Sequence, residues 1–128
     1  MNPAFDPARP SYVSLATFRR DGREVRTPVW IAGAGGRLYV YTNAKSGKVK
    51  RVRTNGRARL AACDARGKLV QPERWLDARA RLLTDPAAME PGFAALLAKY
   101  GWQLHLALFF AKLSGRYRDR AILELEPA

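Results

Sequence analysis

The stretch Tyr41-Thr-Asn-Ala-Lys-Ser-Gly-Lys-Val-Lys-Arg-Val-Arg-Thr-Asn-Gly-Arg57 has the residue types of an anion site. It leaves a β-prone run and passes through small polar residues. It then enters a helix, about Ser46 to Thr54, that carries Lys48, Lys50, Arg51 and Arg53. The first backbone N–H groups of a helix have no intrahelical partner and point at whatever lies before it. A phosphate placed there meets those donors and the positive end of the helix dipole, and a lysine adds a full charge. Ser46, Gly47 and Lys48 stand at that start, with Lys50 and Arg51 one turn on. The spacing is not that of a Walker A loop, because no Gly-x4-Gly-Lys-Ser/Thr is present. On the pattern alone, a solvated basic helix is the plainer reading.

Other chemistry is scarce. His105 is the only histidine and Cys63 the only cysteine. A Cys/His structural zinc site is therefore excluded, and so is any histidine-assisted nucleophile that does not use His105. One cysteine allows no disulfide within the chain, which fits a reducing cytoplasm. The N-terminus lacks the basic start and apolar stretch of a signal peptide. His105 reads as a satisfied or surface histidine on an apolar helix, and Cys63 as a small buried residue on the same strand face as Ala61. The chain has 128 residues with 23 Lys and Arg against 11 Asp and Glu, a net charge of +12. Such a surplus favours polyanions, whether nucleic acid, an acidic membrane surface or a phosphorylated or carboxylated ligand.

The elements that must hold the basic stretch are mostly strands. Residues 1–10 contain three prolines and read as an arm that docks through Phe5; residues 11–128 read as one domain. Tyr12 to Phe18 alternates, with Val13, Leu15 and Thr17 on one face. Asp21-Gly22 is a hairpin signal. Glu24 to Ala32 reads as a single second strand with Val25, Thr27, Val29 and Ile31 on one face; Pro28 cannot donate to a ladder, so an edge or bulge falls there. Arg37 to Thr42 places Leu38 and Val40 opposite Tyr39 and Tyr41. The basic helix buries Val49 and Val52, and Asn55-Gly56 ends it. Arg57 to Asp64 and Trp75 to Leu83 follow as strands, the latter with Leu76, Ala78, Ala80 and Leu82 inward. Asp85-Pro86 starts a helical region, and residues 87–115 read as two helices. Their longest unbroken apolar run, Leu106 to Ala111, is far short of the ~20 residues that span a bilayer. Trp102 and Phe109-Phe110 read as packing, as a lid, or as a surface meeting a membrane or a lipid-like substrate. Arg120 to Glu126 is a last strand with Leu123 and Leu125 inward.

The order of meander, basic helix, two strands, helices and strand resembles the split β-barrel flavin and deazaflavin oxidoreductases. This group includes pyridoxamine 5′-phosphate oxidase and the F420-dependent reductases. The residues carrying the resemblance are Arg26-Thr-Pro-Val-Trp30, Gly36-Arg-Leu-Tyr-Val-Tyr-Thr42, Ser46-Gly-Lys-Val-Lys-Arg51 and Asn55-Gly-Arg57. Lys99-Tyr-Gly-Trp-Gln103 is similar to a helical segment of an actinobacterial F420-dependent subgroup.

The resemblance implies a mainly β fold, a split barrel of about six strands with accessory helices, working as a homodimer with the cofactor at the interface. It places Thr27, Pro28, Val29 and Trp30 against the face of a tricyclic ring, with Tyr41, Thr42 and Asn43 continuing that wall. The family's phosphate-binding lysine lies nine residues before the arginine of an Asn-Pro-Arg signature. Lys48 stands in that position relative to Arg57, with Gly56 replacing the proline. Ser46, Gly47 and Lys50 or Arg51 assist it. The strongly anionic F420 suits the cationic surplus better than FMN does. The implied activity is hydride transfer between F420 and an organic acceptor such as an activated alkene, a quinone-like ring or another conjugated carbonyl compound. Three readings stay beside it: an FMN enzyme of the same fold, a cofactor carrier without turnover, and a small basic nucleic-acid-binding barrel. The last is weakened because aromatics do not interleave with the basic residues.

Overall fold

The computed structural model describes residues 6–72 and 74–128; the Phe5 contact expected for the arm lies outside them. Seven antiparallel strands form one sheet: β1 (Tyr12–Phe18), β2 (Glu24–Val29), β3 (Ile31–Ala34), β4 (Arg37–Asn43), β5 (Arg57–Cys63), β6 (Leu76–Leu83) and β7 (Arg120–Pro127). Helix α1 (Gly47–Asn55) joins β4 to β5, and α2 (Pro86–Tyr100) and α3 (Trp102–Leu113) join β6 to β7. The sheet order is β2-β1-β5-β6-β7-β4-β3.

The expected single strand from Glu24 to Ala32 is in fact two. Trp30 alone separates β2, which pairs with β1 (Val13 opposite Val29), from β3, which pairs with β4 (Ile31 opposite Val40). The two edges of the sheet are therefore consecutive in the chain, and the sheet curls until they meet at Trp30. Tyr100 explains where the run breaks. Its hydroxyl accepts a hydrogen bond from the Ile31 N–H at 3.0 Å and lies 2.8 Å from the Ser11 carbonyl oxygen. Its ring stacks on Trp30 with centroids 4.7 Å apart. The Lys99 ammonium donates to the carbonyl oxygens of Pro10 and Ile31, each at 2.6 Å. Together these contacts fasten the arm and the corner to the end of α2. Val29 and Ile31 both remain in the barrel core, so the alternation runs unbroken through the corner.

The core inside the curl holds Val13, Leu15, Val40, Leu60, Leu123 and Leu125, each with none of its surface exposed. Val49 and Val52 of α1 close one end of it. Gly56, at φ 70°, ends α1 and donates its N–H to the Val52 carbonyl. Outside the sheet, α2 lies over the other face of β4 and β7, where Met89, Leu96 and Tyr100 pack on Tyr39 and Ile122. Asp85 caps α2 by accepting from the Ala88 N–H at 3.0 Å, with Pro86 in the first turn.

Gly92 lets α2 come that close. A Cβ there would stand 3.0 Å from Tyr39 Cδ1 and 3.1 Å from Ile122 Cγ2. Gly92→Val is therefore expected to destabilise the protein by about 1–3 kcal/mol through overpacking. A lowered urea midpoint would show it, and an unchanged midpoint would mean that α2 is not seated this tightly.

Candidate functional site

A cleft of about 850 Å³ opens where the corner, the end of β4 and the start of α1 face α3. Pro28, Val29 and Trp30 line one wall. Tyr41, Thr42 and Asn43 continue it toward Ser46 and Lys48. Eight of the twelve residues singled out from the sequence thus meet in one place.

One end of the cleft is built by α1. Ser46 is its N-cap residue, but its hydroxyl makes no cap bond to the helix; it shares a 3.3 Å hydrogen bond with the Thr42 hydroxyl instead. The first turn of α1 holds no acidic residue. Lys48 is partly buried there and belongs to none of the ion pairs among the described residues. Burial first, and the nearby Arg51 second, push its ammonium below the usual lysine range. A partly desolvated cation beside an uncapped helix start is short of negative charge, and a phosphate supplies it.

The other four residues lie outside the cleft lining. Arg51 bonds Thr17 Oγ1 through Nε at 2.6 Å and ties α1 to β1. Gly47 leaves room for that guanidinium, because a Cβ there would be 2.9 Å from Arg51 Nη1. Arg51 thus acts on the site through its charge. Lys50 points to solvent. Thr27 buries its hydroxyl without a hydrogen-bond partner. It shares the inward face of β2 with Val29, whereas Pro28 faces out.

The other end is apolar and aromatic. Trp30 presents an aromatic wall whose orientation is fixed by the stack on Tyr100. Across the cleft stand Ala107, Phe110 and Leu113 of α3, with Arg116 beyond them. Tyr41 packs against Phe93, and burial raises its phenol pKa, so it stays protonated and can donate a hydrogen bond. Among the described residues no His, Cys, Asp or Glu lines the cleft, and no cluster of such residues could hold a metal. The arrangement can hold an anion and face a flat ring; among the described lining residues it has no carboxylate or imidazole to move a proton.

Seven lining residues fall outside the twelve singled out from the sequence, among them Tyr12, Arg116 and the α3 residues Ala107, Phe110, Ala111 and Leu113. Tyr12 follows from the hairpin register, since Val13 lies opposite Val29 and Tyr12 must then approach Trp30. Arg116 follows only from the way α3 folds back. His105 is exposed and outside the cleft, and Cys63 is buried with its thiol pKa raised. Several outer-sheet arginines have local partners. Arg26 and Arg59 flank the Trp75 ring and both bond Glu24, Arg37 and Arg81 bond the buried Glu124, and Arg57 lies over Phe18.

The curled antiparallel sheet and the helices packed on it form a split β-barrel. The sequence matches the pyridoxamine 5′-phosphate oxidase family over residues 4–128, and the chain belongs to that family. Among solved structures it is similar to the heme storage protein HutZ from Vibrio cholerae, with TM-score 0.68 and 13% identity over 95% of this chain and 84% of that one. It is also similar to the conserved hypothetical protein Rv2991 from Mycobacterium tuberculosis, with TM-score 0.65 and 17% identity over 94% and 74% of the two chains. An F420 reductase matches with TM-score 0.55 and 24% identity over 94% and 89%. At these identities the likeness is one of fold. None of the curated proteins matches the sequence significantly.

Proposed function

We propose that this protein is an F420-dependent oxidoreductase that passes a hydride between the deazaflavin and a conjugated organic acceptor. The observation that carries the reading is Lys48, a partly buried cation with no ion-pair partner among the described residues, at the uncapped start of α1 and opening into an aromatic cleft. When bound, F420 supplies the hydride chemistry. The chain does the rest. Lys48 and the first N–H groups of α1 hold the phosphodiester. Trp30 and Pro28 face the ring, and Phe110 shields it from water. Tyr41, kept protonated, and the hydroxyls of Thr42 and Ser46 are the neutral donors available to a carbonyl of the acceptor. Arg116 at the far wall gives an anionic tail a positive neighbour. The cleft is open on one side, and a homodimer in which a second copy closes it is part of this reading.

FMN in the same cleft is the rival within the fold. Titration of the cofactor-free protein with F420 and with FMN, followed by tryptophan quenching, separates them, since Trp30 lies in the cleft. Tight F420 binding with weak FMN binding is expected. FMN preference would move the protein to the flavin branch, and binding of neither would sink the reading.

A further inference from the structure

Helix α3 carries two apolar faces and the protein uses only one. Leu104 is buried, and Ala107, Leu108 and Ala111 are partly covered on the same side. On the other side Trp102, Leu106 and Phe109 are 70%, 45% and 54% exposed, and Phe110 and Leu113, which also line the cleft, are 58% and 68% exposed. At about 100° per residue, Trp102, Leu106, Phe109 and Leu113 fall within an arc of about 60°, with Phe110 on its flank. Such a stripe facing water needs an occupant.

The charge around it identifies the class. From Pro91 to Arg118 there is no Asp or Glu, while Lys112 and Arg118 are exposed cations. A second copy seated symmetrically on this face would set the same acid-free segment against itself, with no carboxylate in it to pair Lys112 and Arg118. An anionic lipid surface meets both demands, because aromatic and aliphatic side chains enter the headgroup boundary while flanking cations meet lipid charge. No helix among the described residues is long and apolar enough to cross a membrane, and the 12 residues of α3 are no exception, so the helix would lie in the plane of the surface. We propose that the outward face of α3 docks this protein on anionic bilayers. The proposal stands apart from the identity of the cofactor.

The test is flotation of the full chain with vesicles of phosphatidylcholine alone and of phosphatidylcholine with one-third phosphatidylglycerol. Partitioning onto the anionic vesicles is expected to exceed that onto the neutral ones by about tenfold or more and to weaken in high salt. The double variant Trp102→Ser, Phe109→Ser touches neither the cleft lining nor the core. It should lower partitioning by about tenfold while its circular dichroism and melting temperature stay put. Equal partitioning onto both vesicle types, or a variant that binds like the parent, would overturn the proposal. So would light scattering, without lipid, that shows a dimer converted to a monomer by the same double substitution, since the face would then belong to a second copy.

Discussion

Replacing Lys48 with methionine is expected to weaken F420 binding by roughly 10- to 100-fold, the worth of a charge-assisted hydrogen bond to a phosphate. The same change should leave the fold as stable or more so, and that contrast makes the result diagnostic. Lys48 is held below the usual lysine range by burial and by Arg51, so in the cofactor-free protein its charge opposes folding. A lysine lowered in the folded state binds fewer protons there than in the unfolded chain. Between the lowered folded value and the ordinary unfolded one, stability therefore rises with pH. Below that window the cost is fully present, and above it the cost is gone. The methionine variant should lack this increment, measured as the difference between its stability profile and the parent's. Cofactor affinity runs the other way: it should fall as pH climbs through the Lys48 pKa, because the anion needs the ammonium. If Lys48→Met melts at a much lower temperature and binds F420 normally, Lys48 is structural and the phosphate sits elsewhere.

The second large effect is expected at Tyr100. Tyr100→Ala should cost about 3–5 kcal/mol, as removal of a large buried aromatic does. Tyr100→Phe separates the ring from its hydroxyl. The ring keeps the stack on Trp30, but the buried Ile31 N–H loses its acceptor, and the Ser11 carbonyl loses a donor. A buried group left unpaired costs about 1–3 kcal/mol, so the phenylalanine variant should fall between parent and alanine in urea unfolding. The alanine variant should also bind cofactor less well, because Trp30 no longer has a backing plane. A phenylalanine variant as stable as the parent would mean that the corner is held without the hydroxyl.

Much of this was legible before any coordinates, for identifiable reasons. Strand alternation reports faces directly, and Leu38 and Val40 do face the barrel core while Tyr39 faces α2. Asp85-Pro86 and Gly56 are local signals whose meaning needs no partner, and they bound α2 and α1 as expected. The split at Trp30 was illegible because Val29 and Ile31 stay in phase across it; only a side chain sixty-nine residues away marks the break. Thr27 shows the opposite case. Alternation already placed it on the inward face with Val29, and the resemblance to a family put it in the cleft, where the structure does not. The contribution of α3 was open for a further reason: a helix apolar on two sides does not reveal which side meets the protein.

The meeting of the sheet's two edges at Trp30 also bears on the protein's behaviour in a crowded solution. An open edge of unpaired N–H and C=O groups is a template on which another chain can add a strand. Here one edge is the four-residue β3, and the other carries Pro28, which has no N–H to offer. The contacts of Tyr100 and Lys99 that fasten the corner hold both edges at once. A fault there would release both together, so the first sign of a loosened corner in cells would be aggregation by strand addition, ahead of any loss of the barrel core.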